Sequence, residues 1–315
     1  MGPDLISLSI SNSDMLRFCR TLLALCVLMV LTIIVMHAVQ IMSMMGDVNR
    51  TFTLKEDQDV LFIGSSQVGC AIVESPQFHN RVSWISDTIV QSYLMRLKEY
   101  ERRGQLKDVK VCVVPFNVFS ITAQNKKAFK WAWYQELAIS WRHLDMLPCG
   151  YCEFARYIAC NLRFPFMIHV QDAPPMRDGL TARPPQFREK FFRGQDAWAR
   201  NLSEVKGTYP GWEENLFCAY KEMRDICSRH RIRFVIFRAP VLPRFDHLIP
   251  EAGRRAVRAW EDRFISSGFE YVDTEHEIPE KYFFDTIHLI RDGADLFTKD
   301  LYRRMSVPFA GQGDE

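Results

Sequence analysis

The sequence predicts an α/β fold in which helices cover both faces of a parallel β-sheet. Short apolar runs, rich in β-branched and aromatic residues, recur beyond residue 58 and alternate with longer stretches of helical periodicity. Strands of a parallel sheet are buried on both faces, so they read as nearly continuous apolar runs. Strands and helices that alternate in this way are typical of a three-layer, doubly wound sheet.

The individual elements follow from the same patterns. The predicted strands are Val60–Ile63, Val82–Ser86, Val109–Val114, Ile232–Phe237 and Phe269–Val272. The predicted helices are Asp87–Arg103, Glu213–His230, Ile249–Ser266 and Asp292–Met305. Between the third and fourth strands, Trp-rich helical segments and a Pro-rich stretch interrupt the alternation. We therefore expect a helical and loop insertion at about residues 120–211.

The N-terminal segment is apolar enough to span a membrane. Leu22–Val39 is broken only by Thr32 and His37, and it has about the length that spans a bilayer as a helix. Arg17 and Arg20 precede it, which places the short N-terminus in the cytoplasm. A cleaved signal peptide has a similar pattern, although no small-x-small cleavage site follows. The predicted organisation is an N-terminus (1–21), a transmembrane anchor (22–45), a polar linker (46–57) and one α/β domain (58–315).

Composition excludes several classes of function. The 315 residues carry a formal net charge of +2, which gives no electrostatic basis for binding nucleic acid. The nine cysteines do not include the two closely spaced pairs that are typical of a zinc site. The sequence indicates neither a metal nor a cofactor. Cys149 and Cys152 have the spacing of a redox motif, but no strand immediately precedes them. A structural pair or two buried thiols is the alternative.

A possible nucleophile follows the first strand. Gly64-Ser65-Ser66 ends that strand abruptly and delivers a hydroxyl to the carboxyl edge of the sheet, where ligands bind in open α/β folds. A serine hydroxyl is a weak nucleophile and needs a base. Near the C-terminus, His288 could be that base, and Asp285 lies three residues before it and could orient the imidazole.

These two stretches resemble the motifs of a known family. Gly64-Ser65-Ser66 is similar to the first motif of SGNH (GDSL-like) hydrolases, usually Gly-Asp-Ser, and Asp285-Thr-Ile-His288 is similar to their closing Asp-x-x-His. The resemblance is closest to a membrane-anchored branch that has Gly-Ser-Ser. This branch includes the D-alanyl transfer protein of teichoic acid synthesis and polysaccharide O-acyltransferases. The resemblance implies a flavodoxin-like sheet, with Ser66 as nucleophile, His288 as base and Asp285 as its partner.

The same resemblance implies donors for an oxyanion. Acyl transfer builds negative charge on the carbonyl oxygen, which requires fixed hydrogen-bond donors. The family supplies the amide of the nucleophile, a glycine amide after the second strand and the Asn of a Gly-x-Asn-Asp motif after the third. Here Asn117 keeps the side-chain donor, but the glycine and the acid are missing. Ser86 stands where the other glycine is expected, and it offers only its backbone amide.

Each candidate residue also has a structural interpretation. Ser65 and Ser66 could cap the following helix, and Asp285 could cap the last one. Asn117 could be a turn residue whose side chain bonds its own backbone. Arg238, at the end of the fourth strand, shares the sheet edge with Ser66 and could bind an anionic substrate group or form a structural ion pair.

Together, the candidates predict two-step acyl transfer through an acyl-serine, with Gln67 and Arg238 as substrate-binding residues. The resemblance and the apolar segment imply an esterase or O-acyltransferase at the bacterial plasma membrane. Its domain would be periplasmic or extracellular and act on a cell-envelope polysaccharide or glycoconjugate, with a membrane-bound acyltransferase as partner and the insertion as a lid. The incomplete second and third motifs leave a second hypothesis, a catalytically inactive binding or scaffold component of envelope polysaccharide assembly.

Overall fold

A computed structural model describes residues 12–55, 58–85, 90–121, 212–274 and 278–306, and residues 184, 186, 189, 191–194 and 199. Within these residues the strands are β1 (Val60–Ser65), β2 (Asn80–Ile85), β3 (Val111–Phe116), β4 (Arg233–Arg238) and β5 (Glu270–Val272). All pair in parallel, in the order β2-β1-β3-β4-β5. The α/β class is confirmed, and each strand boundary lies within two residues of its prediction.

Helices cover both faces of this sheet. They are α1 (Asn12–Thr51), α2 (Ser66–Ala71), α3 (Val90–Arg102), α4 (Trp212–Arg229), α5 (Pro243–Leu248), α6 (Glu251–Ser266) and α7 (Arg291–Met305). Four of them, α3, α4, α6 and α7, correspond to the predicted helices. The short α5 was not expected, and it begins at a proline, which is favoured in the first turn of a helix because its missing N–H is not needed there.

Aromatic contacts show which helix lies on which face. Phe62 of β1 and Phe237 of β4 point to one face, where they meet Tyr302 and Phe297 of α7 at ring-centroid distances of 6.1 and 6.0 Å. On the opposite face Phe116 of β3 meets Phe264 of α6 at 5.2 Å. The sheet is therefore buried on both faces, which explains why its strands are nearly continuous apolar runs.

The N-terminal helix is long and runs into the domain. In the described part of the chain, one helix is long and apolar enough to cross a membrane, over Met15–Thr32, and a signal sequence would have the same properties. The helix continues to Thr51, so the first half of the predicted 46–57 linker is helical. It ends where Phe52 enters the core and packs on Tyr100 at 4.7 Å.

The turn from β1 into α2 depends on Gly64. A Cβ atom on this residue would lie 2.3 Å from Cγ2 and 2.8 Å from Cβ of Val68, and 3.1 Å from Cδ of Pro115. Val68 is buried and β-branched, so its χ1 has little freedom within a helix. The absence of a side chain at Gly64 therefore lets α2 begin directly against the strand.

We expect Gly64→Ala to lower the free energy of unfolding by about 1–3 kcal/mol, the usual cost of overpacking an interior. Denaturant unfolding of the full chain in detergent measures this change. Gly194→Ala is the matched control, because a Cβ atom there meets no atom of the described residues within 4 Å. Equal stability of the two variants would contradict the close packing at Gly64.

Candidate active site

The candidate nucleophile lies where the winding of the sheet reverses. The chain passes from β1 to β2 on one side, whereas β3 lies on the other side of β1. In sheets of this strand order, ligands bind in the crevice that opens outside the carboxyl ends of β1 and β3. Ser66 directly follows β1 and Asn117 directly follows β3, so both stand at this crevice.

The two adjacent serines have different contacts. Ser65 is fully buried, and its Oγ accepts a hydrogen bond of 3.2 Å from the amide of Gln67, which makes it the N-cap of α2. Ser66 is half-buried, and its Oγ lies 2.9 Å from Nε2 of His288, 222 positions later in the chain. The capping interpretation therefore applies to Ser65, whereas the hydroxyl of Ser66 is hydrogen-bonded to the imidazole of His288.

Asp285 fixes the imidazole of His288. Its Oδ2 lies 2.8 Å from Nδ1, and its Oδ1 accepts hydrogen bonds of 3.0 Å from the amides of Ile287 and His288. A carboxylate can only accept, so Nδ1 donates, and Nε2 of the neutral ring is then free to accept the proton of Ser66. Asp285 does not cap the last helix, because Ile290 is the residue that precedes α7.

The segment that carries this pair is held at both ends and in its middle. Phe283 and Leu289 form an isolated antiparallel bridge, and the amide of Phe284 donates to the carbonyl of His288 at 2.8 Å. The carbonyl of Thr286 accepts from the amide of Leu242 at 2.8 Å, which ties the segment to the connection after β4. Phe283, Thr286 and Leu289 are buried. The imidazole is thus positioned by packed backbone.

Electrostatics at the site keep the carboxylate charged. Burial tends to raise the pKa of Asp285, but the hydrogen bond and charge of His288 and the two backbone amides lower that pKa below its ordinary value. Cys70 lies one turn after Ser66 on α2, and burial together with the negative charge of Asp285 raises the pKa of its thiol to about 11. Cys70 therefore stays protonated and does not compete as a nucleophile.

Asn117 is buried, and both ends of its amide are bonded. Its Oδ1 accepts from the backbone amide of Ser120 at 3.0 Å, as expected for a turn residue. This contact fixes the orientation of the amide, so that Nδ2 points towards α2 and donates to Oε1 of Gln67. Asn117 therefore combines the turn role with a donor placed on the Ser66 side of the crevice.

Gln67 differs from its predicted role as a substrate-binding residue. Its side chain is fully buried, and Nε2 donates to the carbonyl of Pro240 at 2.7 Å while Oε1 accepts from Asn117. The reason is that Gln67 is the second residue of α2 and its side chain is directed towards the residues that follow β3 and β4. It joins α2 to the connections after β3 and β4, and no local sequence signal indicates this, because its partners are 50 and 173 positions away.

The other predicted residues lie partly inside and partly outside the described part of the chain. Arg238 lies at the end of β4, at the predicted sheet edge, and forms ion pairs with Asp246 and Glu261. Ser86, the Cys149 and Cys152 pair and nearly all of the predicted insertion lie outside the described residues. Among the described residues, no group of three or more His, Cys, Asp or Glu side chains is arranged to hold a metal ion.

The chain matches no protein-family model and no curated protein. It shares 12% identity with the structure of a "putative acylhydrolase" from Bacteroides fragilis, with a TM-score of 0.40 over 82% of this chain and 93% of that one. A GDSL-like lipase from Bacteroides thetaiotaomicron has 12% identity and a TM-score of 0.38, over 81% and 90%. With TM-scores below 0.5, these likenesses decide nothing about the function of this chain.

The lowered pKa of Asp285 has a consequence for acid stability. The unfolded carboxyl has a pKa of about 3.9, so its stabilising contribution is present above this pH and is lost as the pH falls through the lower folded value. We expect the wild type to be more stable than Asp285→Asn at about pH 5, and this difference to shrink as the pH falls from about 4 towards 2.

Thermal unfolding of the full chain in detergent at a series of pH values measures this difference. Asp108→Asn, at an exposed carboxylate, gives the background change for a surface substitution. A difference between wild type and Asp285→Asn that does not change over the acidic range would show that the folded protein does not favour the ionised carboxylate.

Proposed function

We propose that this protein is a membrane-anchored, SGNH-like serine esterase or O-acyltransferase that works through an acyl-serine intermediate. The observation that carries the proposal is the hydrogen-bonded chain from Ser66 through His288 to Asp285, with donor–acceptor distances of 2.9 and 2.8 Å. A nucleophile in contact with a base, and a base oriented by a third group, is the arrangement that activates serine for attack on an acyl carbon.

In the first step, Nε2 of His288 accepts the proton of Ser66 while Oγ attacks the carbonyl carbon of an ester or thioester. The negative charge of Asp285 stabilises the imidazolium that forms. When the tetrahedral intermediate collapses, the leaving oxygen or sulfur takes this proton from Nε2. The product of this half-reaction is an acyl ester on Ser66 and a neutral imidazole.

The oxyanion of that intermediate requires donors at the crevice. Asn117 contributes its side-chain amide: one N–H binds Gln67, and among the described residues the other has no acceptor and can serve this purpose. The amide of Ser66 is a second candidate, because the first N–H groups of a helix have no acceptor within the helix. Removing one such donor in other enzymes costs about 10²–10³ in turnover.

In the second step, the acyl group passes to water or to a hydroxyl of a sugar, with His288 again as the base. Transfer to a cell-envelope polysaccharide or glycoconjugate on the outer side of the plasma membrane is supported by the apolar Met15–Thr32 stretch and by the Gly-Ser-Ser variant of the motif. An enzyme that acts on surface polymers benefits from tethering near them. A membrane-bound acyltransferase that supplies the acyl group is the corresponding partner.

A second candidate function is a catalytically inactive binding or scaffold component of an envelope assembly system. The observation that favours it is that Asn117 already uses Oδ1 and one N–H within the protein. Pro115 also stands where the family has the glycine of its third motif. Under this hypothesis the crevice would bind a polymer without cleaving or forming an ester.

A fluorophosphonate probe distinguishes these two functions, because it reacts covalently with activated serines. We expect the intact protein to be labelled and Ser66→Ala to lose the label completely. Turnover of an aryl acetate should fall in the same variant by a factor on the order of 10³–10⁶, as when a serine nucleophile is removed elsewhere.

Ser65→Ala is the matched control for the labelling, because it removes the neighbouring hydroxyl and leaves Ser66 in place. Loss of this N-cap costs about 1 kcal/mol of stability, so the variant should fold and be labelled. Labelling that persists in Ser66→Ala would contradict the assignment of the nucleophile. Folded wild type that never labels would favour the scaffold function.

Hydrolysis and transfer can be separated by product analysis. We expect the full chain, incubated with an aryl acetate, to release acetate in water and to form O-acetylated sugar when an unacetylated polysaccharide is added, because both acceptors attack the same acyl-serine. Mass spectrometry of the polysaccharide and enzymatic measurement of acetate quantify the two products. Acetate release that is unaffected by acceptor, with no acetylated sugar, would show a hydrolase only.

A further inference from the structure

A cleft with several arginines opens beside the candidate active site. Its volume is about 60 Å³, enough for one small polar group, and Asn117 is among its lining residues. Its charged lining residues are Arg238, Arg254, Arg258 and Asp246. Three guanidinium groups and one carboxylate therefore lie along the lining, and Glu251 and Glu261 pair with the same arginines from outside it.

The arginines of the lining have different structural roles. Arg254 donates to the carbonyl of Ile249 at 2.8 Å and to Glu251, so it holds the corner between α5 and α6. Arg258 donates to the same Glu251 at 2.7 Å, but its side chain is 57% exposed. Glu251 is not among the lining residues, so it orients both guanidinium groups from outside the cleft.

Arg238 is the arginine nearest to the sheet, because it is the last residue of β4. Its side chain is 20% exposed and forms ion pairs with Asp246 at 3.6 Å and Glu261 at 3.8 Å. Both carboxylates lie within ion-pair distance of the guanidinium, at separations longer than a hydrogen bond. Glu261 also accepts a hydrogen bond of 2.7 Å from Tyr271, which fixes the carboxylate.

We propose that this cleft binds a carboxylate or phosphate group of the molecule whose ester is cleaved or formed at Ser66, an inference that rests on the proposed function. Guanidinium groups present planar forks of N–H donors that match both anions. Asn117 connects the cleft to the reacting centre, so an anionic group near the ester would enter it. The substrate class is therefore an acidic sugar or a phosphate-containing glycan, and Arg238 and Arg258 are its specificity residues.

Two small esters test the preference for charge. 4-Acetoxybenzoate carries a carboxylate, and 4-acetoxybenzamide is its neutral counterpart of nearly the same shape. We expect kcat/KM of the full chain in detergent to be higher for the anionic ester. The ratio of the two kcat/KM values should fall roughly tenfold in Arg238→Gln and in Arg258→Gln, as expected for the loss of one charged hydrogen bond.

Two further variants complete the experiment. Arg238→Lys keeps the charge without the fork and should give an intermediate ratio. Arg303→Gln is the matched control, because this arginine lies in the last turn of α7 and pairs with Asp300. Arg258→Gln keeps the test valid if Arg238→Gln does not fold, since Arg258 is largely exposed. A ratio that stays at the wild-type value in both Arg238→Gln and Arg258→Gln overturns the proposal and leaves the arginines as structural ion pairs.

A binding measurement separates failure of the cleft from failure of the proposed function. If neither ester is cleaved, the proposed function fails, and the cleft is judged by whether phenyl phosphate raises the melting temperature of the full chain more than phenol does. Stabilisation that disappears in Arg258→Gln and persists in Arg303→Gln supports anion binding. No stabilisation of the wild type by phenyl phosphate overturns it.

Discussion

The reversal of winding at β1 is the constraint on which the candidate site depends. Because β2 and β3 lie on opposite sides of β1, the connections that leave the carboxyl ends of β1 and β3 diverge, and a crevice opens between them. Ser66 starts one connection and Asn117 starts the other. The same parallel register brings the end of β4, and with it Arg238, to this edge. The strand order alone therefore places a hydroxyl, an amide and a guanidinium at one edge of the sheet, independently of the specific contacts that each of them makes.

A buried amide then joins these parts into one unit. An unsatisfied buried polar group costs about 1–3 kcal/mol, so the amide of Gln67 must be bonded at both ends. It meets this requirement with Asn117 and the carbonyl of Pro240, which links α2 to the connections after β3 and β4. The Leu242–Thr286 hydrogen bond extends the link to the segment that carries His288. Ser66, Asn117 and His288 are thus positioned by one network and not by three independent loops.

The sequence was sufficient for the sheet and for bringing Ser66, His288 and Asp285 together, but not for the contacts that support them. Strands buried on both faces are uniformly apolar, and the motifs around Ser66 and His288 are local, so both could be read directly. The sequence could not show which of Ser65 and Ser66 caps the helix, because serine is a good capping residue at either position. Only the contact of Ser66 with the distant His288 distinguishes the two. Gln67 was misassigned for the same reason, since its partners are defined by topology.

The choice between an enzyme and a scaffold depends on whether the contacts among Ser66, His288 and Asp285 have any use in a protein that does not catalyse acyl transfer. The missing N–H of Pro115 does not remove a donor from the crevice, since this residue lies within β3 and the crevice begins after Phe116. Within the described part of the chain, Asn117 has one N–H beyond its bond to Gln67. Asp285, His288 and Ser66 are ordered side chains that remain partly open to solvent, and ordering them costs conformational entropy. A polymer-binding module gains nothing from an imidazole aligned on a serine hydroxyl, whereas acyl transfer requires it.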